Sequence, residues 1–364
     1  MTDIENNQLK LARDVLGKIL SAVPGMKLRW DPYATSDRAA VAKLVDFTVE
    51  ANNDRNHTAY TLVVEFTQQG YPRQLRQAMD KLLRFHHRAN ALDYLVVAAP
   101  FITAEGATVC REENVGYYDL AGNCLLIFGS YYIERTGKPN PFRKSPSVIP
   151  PSLYGPRSER VLRVLLGERE KSWKVVPLAE AAHVSTGTVS IVRNVLLDRE
   201  WAREGEAGLQ LTRPQELLQD WAAVWGRRRE RPRTYFTLRP LAEVERQMAQ
   251  FARDQGRPFA LTGTAGAWQR APMTRYNRTQ VYWEGDPAEL ANAAELKPAE
   301  AGANVQVFAP RDEGVFFQLD TVEGVPVVSA WQLYLDLQRD RARGEEAAEH
   351  LWRTVLFPGN ERPL

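Results

Sequence analysis

Residues 158–212 read SERVLRVLLGEREKSWKVVPLAEAAHVSTGTVSIVRNVLLDREWAREGEAGLQLT, and the spacing of their apolar residues decides the fold of the middle of the chain. Over 158–166, Val161, Leu162, Val164, Leu165 and Leu166 recur at helical spacing with arginines on the polar side, which predicts a first helix. The stretch 177–182 opens on a proline suited to a first helical position and carries Leu178 and Ala182, which predicts a second. The link AHVS follows, with Val184 in the turn and Ser185 as the N-cap of a third helix. That helix, 186–199, buries Val189, Val192, Val195 and Leu196 on one face. Residues 201–203 and 209–211 then alternate around glycines 205 and 208, as the strands of a hairpin do.

Three helices and a hairpin in this order make a winged helix-turn-helix. The wheel of the third helix leaves Gly187, Ser190 and Asn194 opposite the buried face, with Thr186 and Ile191 beside them and Arg193 at the boundary. Such a helix enters the major groove of double-stranded DNA. Asn pairs bidentately with adenine there, and Ser or Thr reaches bases or phosphates. Thr186, Ser190, Arg193 and Asn194 are therefore the candidate DNA-reading residues; the plainer alternative is a helical hairpin that only packs its neighbours. The wing carries Glu200, Glu204 and Glu206 against Arg203, which repels phosphate and suits a structural role. Further on, 225–234 reads WGRRRERPRT, five arginines and one glutamate in ten residues. Phosphate contacts dominate nonspecific DNA affinity. Arg227, Arg228 and Arg229 thus join the DNA-binding candidates together with Lys174, against the alternative of a solvated linker.

At 364 residues the chain is too long for one ordinary core. Its 47 basic and 45 acidic residues give a net charge of +2, so any basic surface has to be local. No apolar run approaches the roughly 20 residues that span a bilayer, and the N-terminus lacks a signal-peptide core, which points to a cytoplasmic protein. Cys110 and Cys124 stand without CxxC or histidine partners at ligand spacing, which argues against a structural zinc or a disulfide framework. Cys110 falls on the apolar side of its helix and reads as packing.

Residues 1–145 read as an α/β three-layer domain: a helix over 9–23, strands over 42–51 and 60–67, a helix over 72–88, and the apolar strand DYLVVAA at 93–99. A helix over 104–113 and strands at 116–119, 124–128 and 131–134 complete it. His86 and His87 read as a surface residue beside a core one. Residues 146–157 are a proline-rich linker, whose approach also carries Lys138, Arg143 and Lys144. The last domain, 235–364, is α+β. Its expected elements are a helix over 241–254, strands in PFALTGTAGAWQ, TQVYWEG and VQVFAPRDEGVFFQL, and a closing helix over 345–355. LTGTAGA lacks the GK[ST] ending of a P-loop and reads as a strand-to-helix turn that needs glycine.

Asp46 in LVDFTVE and Glu65 in LVVEFTQQGYP fall on neighbouring strands, a layout able to hold Mg²⁺ for phosphate chemistry. From there to about residue 88 the chain resembles the restriction-endonuclease-like fold, whose pattern is Asp, then Glu-x-Lys. The resemblance implies a catalytic and metal-ligating pair, Asp46 and Glu65, with Thr67 where the lysine belongs and Gln77 on the next helix as a helper. Thr67 supplies no cation. The departure predicts a degenerate, inactive domain kept for dimerisation or added DNA contact, in which case no Mg²⁺, Mn²⁺ or other cofactor is needed.

The run winged helix, FALTGTAGA, RYNRTQVYWEG, GANVQVFAPRDEGVFF and GVPVVSAWQLYLDLQ, about 158–355, resembles the AbiEi-like antitoxins of type IV toxin–antitoxin systems and related bacterial transcriptional regulators. That resemblance implies a repressor that binds double-stranded DNA through the winged helix (158–234 with its basic extension), with an AbiEi-like C-terminal domain used for regulation. The partners expected are duplex DNA, a second copy of the chain on a symmetric operator, and a toxin protein, with no membrane. Two alternatives belong to other classes. One is a metal-dependent endonuclease at Asp46 and Glu65, and the other is an antitoxin that neutralises its toxin through the last domain.

Overall fold

The computed structural model describes residues 3–32, 44–53, 59–86, 93–139, 153–273, 275–340 and 344–359. Residues 42–43, His87, Arg143, Lys144 and 146–152, all invoked above, lie outside the described residues. Internal contacts divide the chain into two compact units, Met1–Pro150 with Leu197–Glu200, and Pro151–Leu196 with Trp201–Leu364. Both mix helices and strands.

In the first unit, α1 (Asp3–Ser21) leads to β1 (Met26–Trp30), β2 (Phe47–Asn53) and β3 (Ala59–Phe66). Then follow α2 (Pro72–His86), β4 (Asp93–Ala99), α3 (Ala104–Glu112), β5 (Gly116–Asp119), β6 (Cys124–Phe128) and β7 (Tyr131–Arg135). The seven strands form one sheet in chain order. β3–β4 and β4–β5 are parallel, because a helix intervenes in each connection, and the remaining pairs are antiparallel. β4 shows why its sequence has no alternation. Val96 and Ala98 face a core shared with Leu16 and Leu20 of α1, while Val97 and Ala99 face one shared with Leu75 and Leu82 of α2 and Cys110 of α3. A strand covered on both sides has no polar face to show. Burial pushes the Cys110 thiol up to about 12, in keeping with a packing residue. β1 has no counterpart in the sequence reading; its MKLRW alternates half-buried and exposed residues at the sheet edge.

The second unit opens with α4 (Pro156–Gly167), α5 (Val175–Ala181), α6 (Thr186–Asp198), the hairpin β8 (Ala202–Gly205) and β9 (Gly208–Leu211), and α7 (Pro214–Trp225). α4 starts two residues inside the expected linker, with proline in its first turn, and α5 starts two residues before Pro177. The larger correction concerns the arginines placed on the polar side of α4. Arg163 is 2% exposed and Glu159 3%, so this helix is buried on nearly every side and is a core element of the unit.

The chain continues through β10 (Arg233–Phe236), α8 (Leu241–Asp254), β11 (Phe259–Thr262), α9 (Gly263–Arg270), β12 (Thr279–Trp283), α10 (Pro287–Ala293), β13 (Lys297–Pro298) and β14 (Val305–Phe308). A 3-10 turn (Glu313–Phe316), β15 (Asp320–Val322), β16 (Val325–Val327), α11 (Ala330–Leu337) and α12 (Gly344–Leu351) follow. These strands build a second seven-stranded sheet in the order β13-β10-β14-β12-β11-β16-β15. In PFALTGTAGAWQ the strand ends at Thr262 and a helix begins at Gly263, so LTGTAGA is the strand-to-helix turn its glycine suggests and AGAWQ, expected as strand, is helical. Gly263 is the pivot: its φ is +58°, and a Cβ there would stand 1.7 Å from Gln280 Oε1.

The two parts of this unit meet at Asp336 of α11, a buried carboxylate at 8% exposure. Trp225 Nε1 of α7 donates to it at 2.9 Å, Tyr282 OH of β12 at 2.9 Å, Gln332 Nε2 at 3.0 Å and Thr262 Oγ1 of β11 at 2.6 Å. Arg339 lies 3.6 Å away and is itself held by Glu230 at 2.7 and 3.0 Å. A carboxylate is stable inside a protein only when its lone pairs are filled in this way. Arg163 bonds Gln332 at 2.6 Å and lies over the rings of Trp221 and Trp225, which carries the same network into α4.

Asp336→Ala strips the acceptor from four buried donors and leaves Arg339 underpaired. The variant is expected to lose about 3–5 kcal/mol in denaturant unfolding. A loss below about 1 kcal/mol, the ordinary cost of one hydrogen bond, would show that the network is not cooperative.

Candidate nucleic-acid interface

α5 and α6 meet at 110°, joined by Ala182, His183, Val184 and Ser185. The turn needs a left-handed residue, and His183 takes that conformation at φ 51°. Ser185 caps α6 as its position predicts, its Oγ accepting from the Thr188 N–H at 3.3 Å. Val189, Val192 and Leu196 are buried, whereas Val195 is only half-buried. The hairpin is fastened to the strand position before α5: Trp173 and Leu209 exchange both backbone hydrogen bonds, at 2.8 and 2.9 Å. Gly208, at φ +115°, permits this approach, since a Cβ would come within 2.4 Å of the Trp173 carbonyl oxygen.

On the outer face of α6, Thr186, Gly187, Ile191 and Asn194 are exposed and Ser190 is half-buried. Ser190 Oγ donates back to the Thr186 carbonyl at 2.9 Å. Arg193 is already engaged. Its guanidinium forms a two-pronged pair with Glu204 of β8, with Nε to Oε1 at 2.6 Å, and Nη1 donates to Asn194 Oδ1 at 3.1 Å. Glu204, one of the three glutamates expected to repel phosphate, thus spends its charge on Arg193. Arg203, the basic residue of the wing, pairs across the hairpin with Gln210.

The basic candidates separate. Lys174, Arg227 and Arg229 are exposed. Arg228 instead turns inward, bonding the Glu159 carboxylate and the Tyr154 carbonyl (2.7 Å), with its guanidinium 4.2 Å from the Trp225 ring centre. In this geometry Arg228 holds α4 to α7.

In the first unit, Asp46 immediately precedes β2 and lies opposite Glu65 in the β2–β3 register; its Oδ2 accepts the Phe66 N–H at 2.7 Å. Glu65 is 4% exposed. Burial raises its carboxyl above the ordinary carboxylate range, and the neighbouring Asp46 charge raises it further. Neither Arg73 nor Arg76 offsets that burial; Lys81 of α2 does, its Nζ 2.5 Å from Glu65 Oε1. The Glu65 hydrogen bond in turn raises the Lys81 ammonium. Thr67 bonds the Gln69 carbonyl at 3.3 Å, and Gln77 is exposed. Lys81 is absent from the sequence reading, although it follows Gln77 by four residues and so shares its helix face. Among the described residues no group of three or more His, Cys, Asp or Glu is placed to hold a metal ion. No single described helix is long and apolar enough to cross a membrane.

A family model described as "Transcriptional regulator, AbiEi antitoxin, Type IV TA system" matches residues 210–356. The match covers α7, the second sheet and α11, including the Asp336 network, and supports an antitoxin-type regulator. No curated protein and no solved structure matches the chain.

Because its folded-state carboxyl is raised, Glu65 contributes stability that is full below the unfolded carboxylate range and is lost as pH rises through the folded value. Glu65→Gln removes that loss. The variant is expected to match the wild type near pH 4 and to exceed it in melting temperature at pH 7–8. A variant less stable at pH 8 than at pH 4, relative to wild type, would mean that the Lys81 pair outweighs burial.

Proposed function

We propose that this protein is a sequence-specific, duplex-DNA-binding transcriptional regulator of the antitoxin type. In this reading residues 158–234 are a winged helix-turn-helix, and Thr186, Ser190, Asn194 and, once released from Glu204, Arg193 of α6 meet the base edges of the major groove. Residues 235–364 form an AbiEi-like C-terminal domain that opposes or senses a toxin protein. Residues 1–145 are a restriction-endonuclease-like domain that has lost cleavage and serves dimerisation or further DNA contact. The protein acts in the cytoplasm as a homodimer on a two-fold operator and needs no cofactor. The single observation that carries the reading is the 110° crossing of α5 and α6, with the exposed side of α6 lined by Thr186, Ile191 and Asn194.

A second reading is favoured by one observation, the Lys81 ammonium 2.5 Å from Glu65. It restores beside the acidic pair the cation that Thr67 lacks. As a nuclease, the protein would hold Mg²⁺ or Mn²⁺ at Asp46 and Glu65, a pair whose mutual repulsion and burial a cation relieves. The ion would supply Lewis-acid activation of the phosphate. Lys81 would stand beside the attacked phosphate.

One assay separates them: the labelled region upstream of its own gene and a scrambled duplex, each with and without Mg²⁺. A regulator shifts the native region intact and independently of metal, and Asn194→Ala costs about 1–3 kcal/mol of preference for it. Metal-dependent shortening that is lost in Glu65→Ala and Lys81→Ala would establish the nuclease instead. Glu204→Gln, by releasing Arg193, is expected to tighten binding to the native region by about 1–3 kcal/mol more than to the scrambled duplex. A variant that binds both duplexes as the wild type does would show that Arg193 makes no base contact.

A further inference from the structure

Between α7 and β10 the side chains alternate. Arg227, Arg229, Arg231 and Arg233 are exposed, while Arg228, Glu230 and Pro232 are half-buried. The inward positions are anchored: Arg228 on Glu159 and the Trp225 ring, and Glu230 on Arg339 by two hydrogen bonds of 2.7 and 3.0 Å. These anchors hold the alternation in register, and Pro232 disfavours helix. They also remove the segment's one acidic charge, since Glu230 is spent on Arg339. None of the four outward arginines has an ion-pair partner among the described residues. Elsewhere in the unit Arg160, Arg193, Arg270 and Arg339 are paired with carboxylates, and other exposed arginines without an ion pair, among them Arg157, Arg246, Arg275, Arg278 and Arg311, do not form a run along the chain. Arg227 lies in the turn that closes α7, its N–H on the Val224 carbonyl at 3.3 Å, and Arg233 begins β10. Where a chain is extended, side chains two apart stand about 6.6 Å from one another, a spacing at which neighbouring arginines reach separate phosphates. The face of α6 is the opposite case, its arginine neutralised by Glu204 and its wing acidic.

We propose that 227–233 is an arginine comb that grips the phosphate backbone of duplex DNA and supplies the sequence-independent part of the affinity, leaving α6 to read bases. This rests on the duplex-DNA reading above and divides its labour. Arg231 and Arg233 enter the interface, and Arg228 leaves it.

The test is a salt titration of full-length protein on a short random-sequence duplex and on the native upstream region. The triple variant Arg229→Gln, Arg231→Gln, Arg233→Gln is expected to lower the slope of log affinity against log salt by about 2.7, at about 0.9 per lost phosphate contact. It should bind the random and native duplexes more weakly by the same factor, so that the preference between them is unchanged. The corresponding Arg→Lys triple keeps the charge and restores the slope. An unchanged slope in the Gln triple, or a wild-type protein that fails to bind random duplex at low salt, overturns the comb. If the triple variant's melting temperature falls, the single variants replace it, each removing about 0.9 from the slope. Failure of the regulator reading has a different signature, a slope change with no preference for the native region in the wild type.

Discussion

A buried carboxylate is costly unless every lone pair is used, and Asp336 meets that requirement by drawing donors from three separate elements besides its own helix. Trp225 comes from α7, Thr262 from β11 and Tyr282 from β12. Satisfying one side chain therefore fixes the position of α7 against the second sheet. Glu159, Arg163 and Arg228 extend the constraint to α4, where an arginine 2% exposed lies over two tryptophan rings and bonds Gln332. The region built around α6 is for this reason continuous with the sheet that follows it. A change of contacts at α11 therefore bears directly on α4 and α7.

The same economy of charge governs the surface. A nearly neutral chain has few arginines to spare, and the second unit consumes many of them in ion pairs: Arg160 with Asp312, Arg193 with Glu204, Arg270 with Asp320 and Arg339 with Glu230. Arg227, Arg229, Arg231 and Arg233 are exposed and carry no ion pair among the described residues, as is also true of Arg157, Arg246, Arg275, Arg278 and Arg311.

In the first unit a parallel constraint acts on Glu65. The carboxylate is buried at the end of β3 beside Asp46 and is tolerated because Lys81 reaches it across the helix–sheet contact. Thr67, two residues after Glu65, carries no charge; the cation beside Glu65 comes from α2.

Local pattern alone determined much of this protein. The limits of β4, β5, β6 and α8, the helix–helix–helix–hairpin order and the glycine pivot at 263 were all legible from periodicity, capping and turn chemistry, because each depends on residues within a turn or two of one another. The resemblance carried by LYLDL was legible too, although what its aspartate does was not. Only the tertiary structure decided which charged residues face water. Arg163 and Arg228 sit at positions whose helical or extended spacing suits solvent, yet distant carboxylates, tryptophans and Gln332 draw them inward, and Arg193 is held by a wing residue eleven positions away. Lys81 meets Glu65 only because α2 packs on the sheet. Burial of a charge is set by partners remote in sequence, whose arrival no local spacing records, and so the elements could be read from the chain while the chemistry of its sites had to be read from the fold.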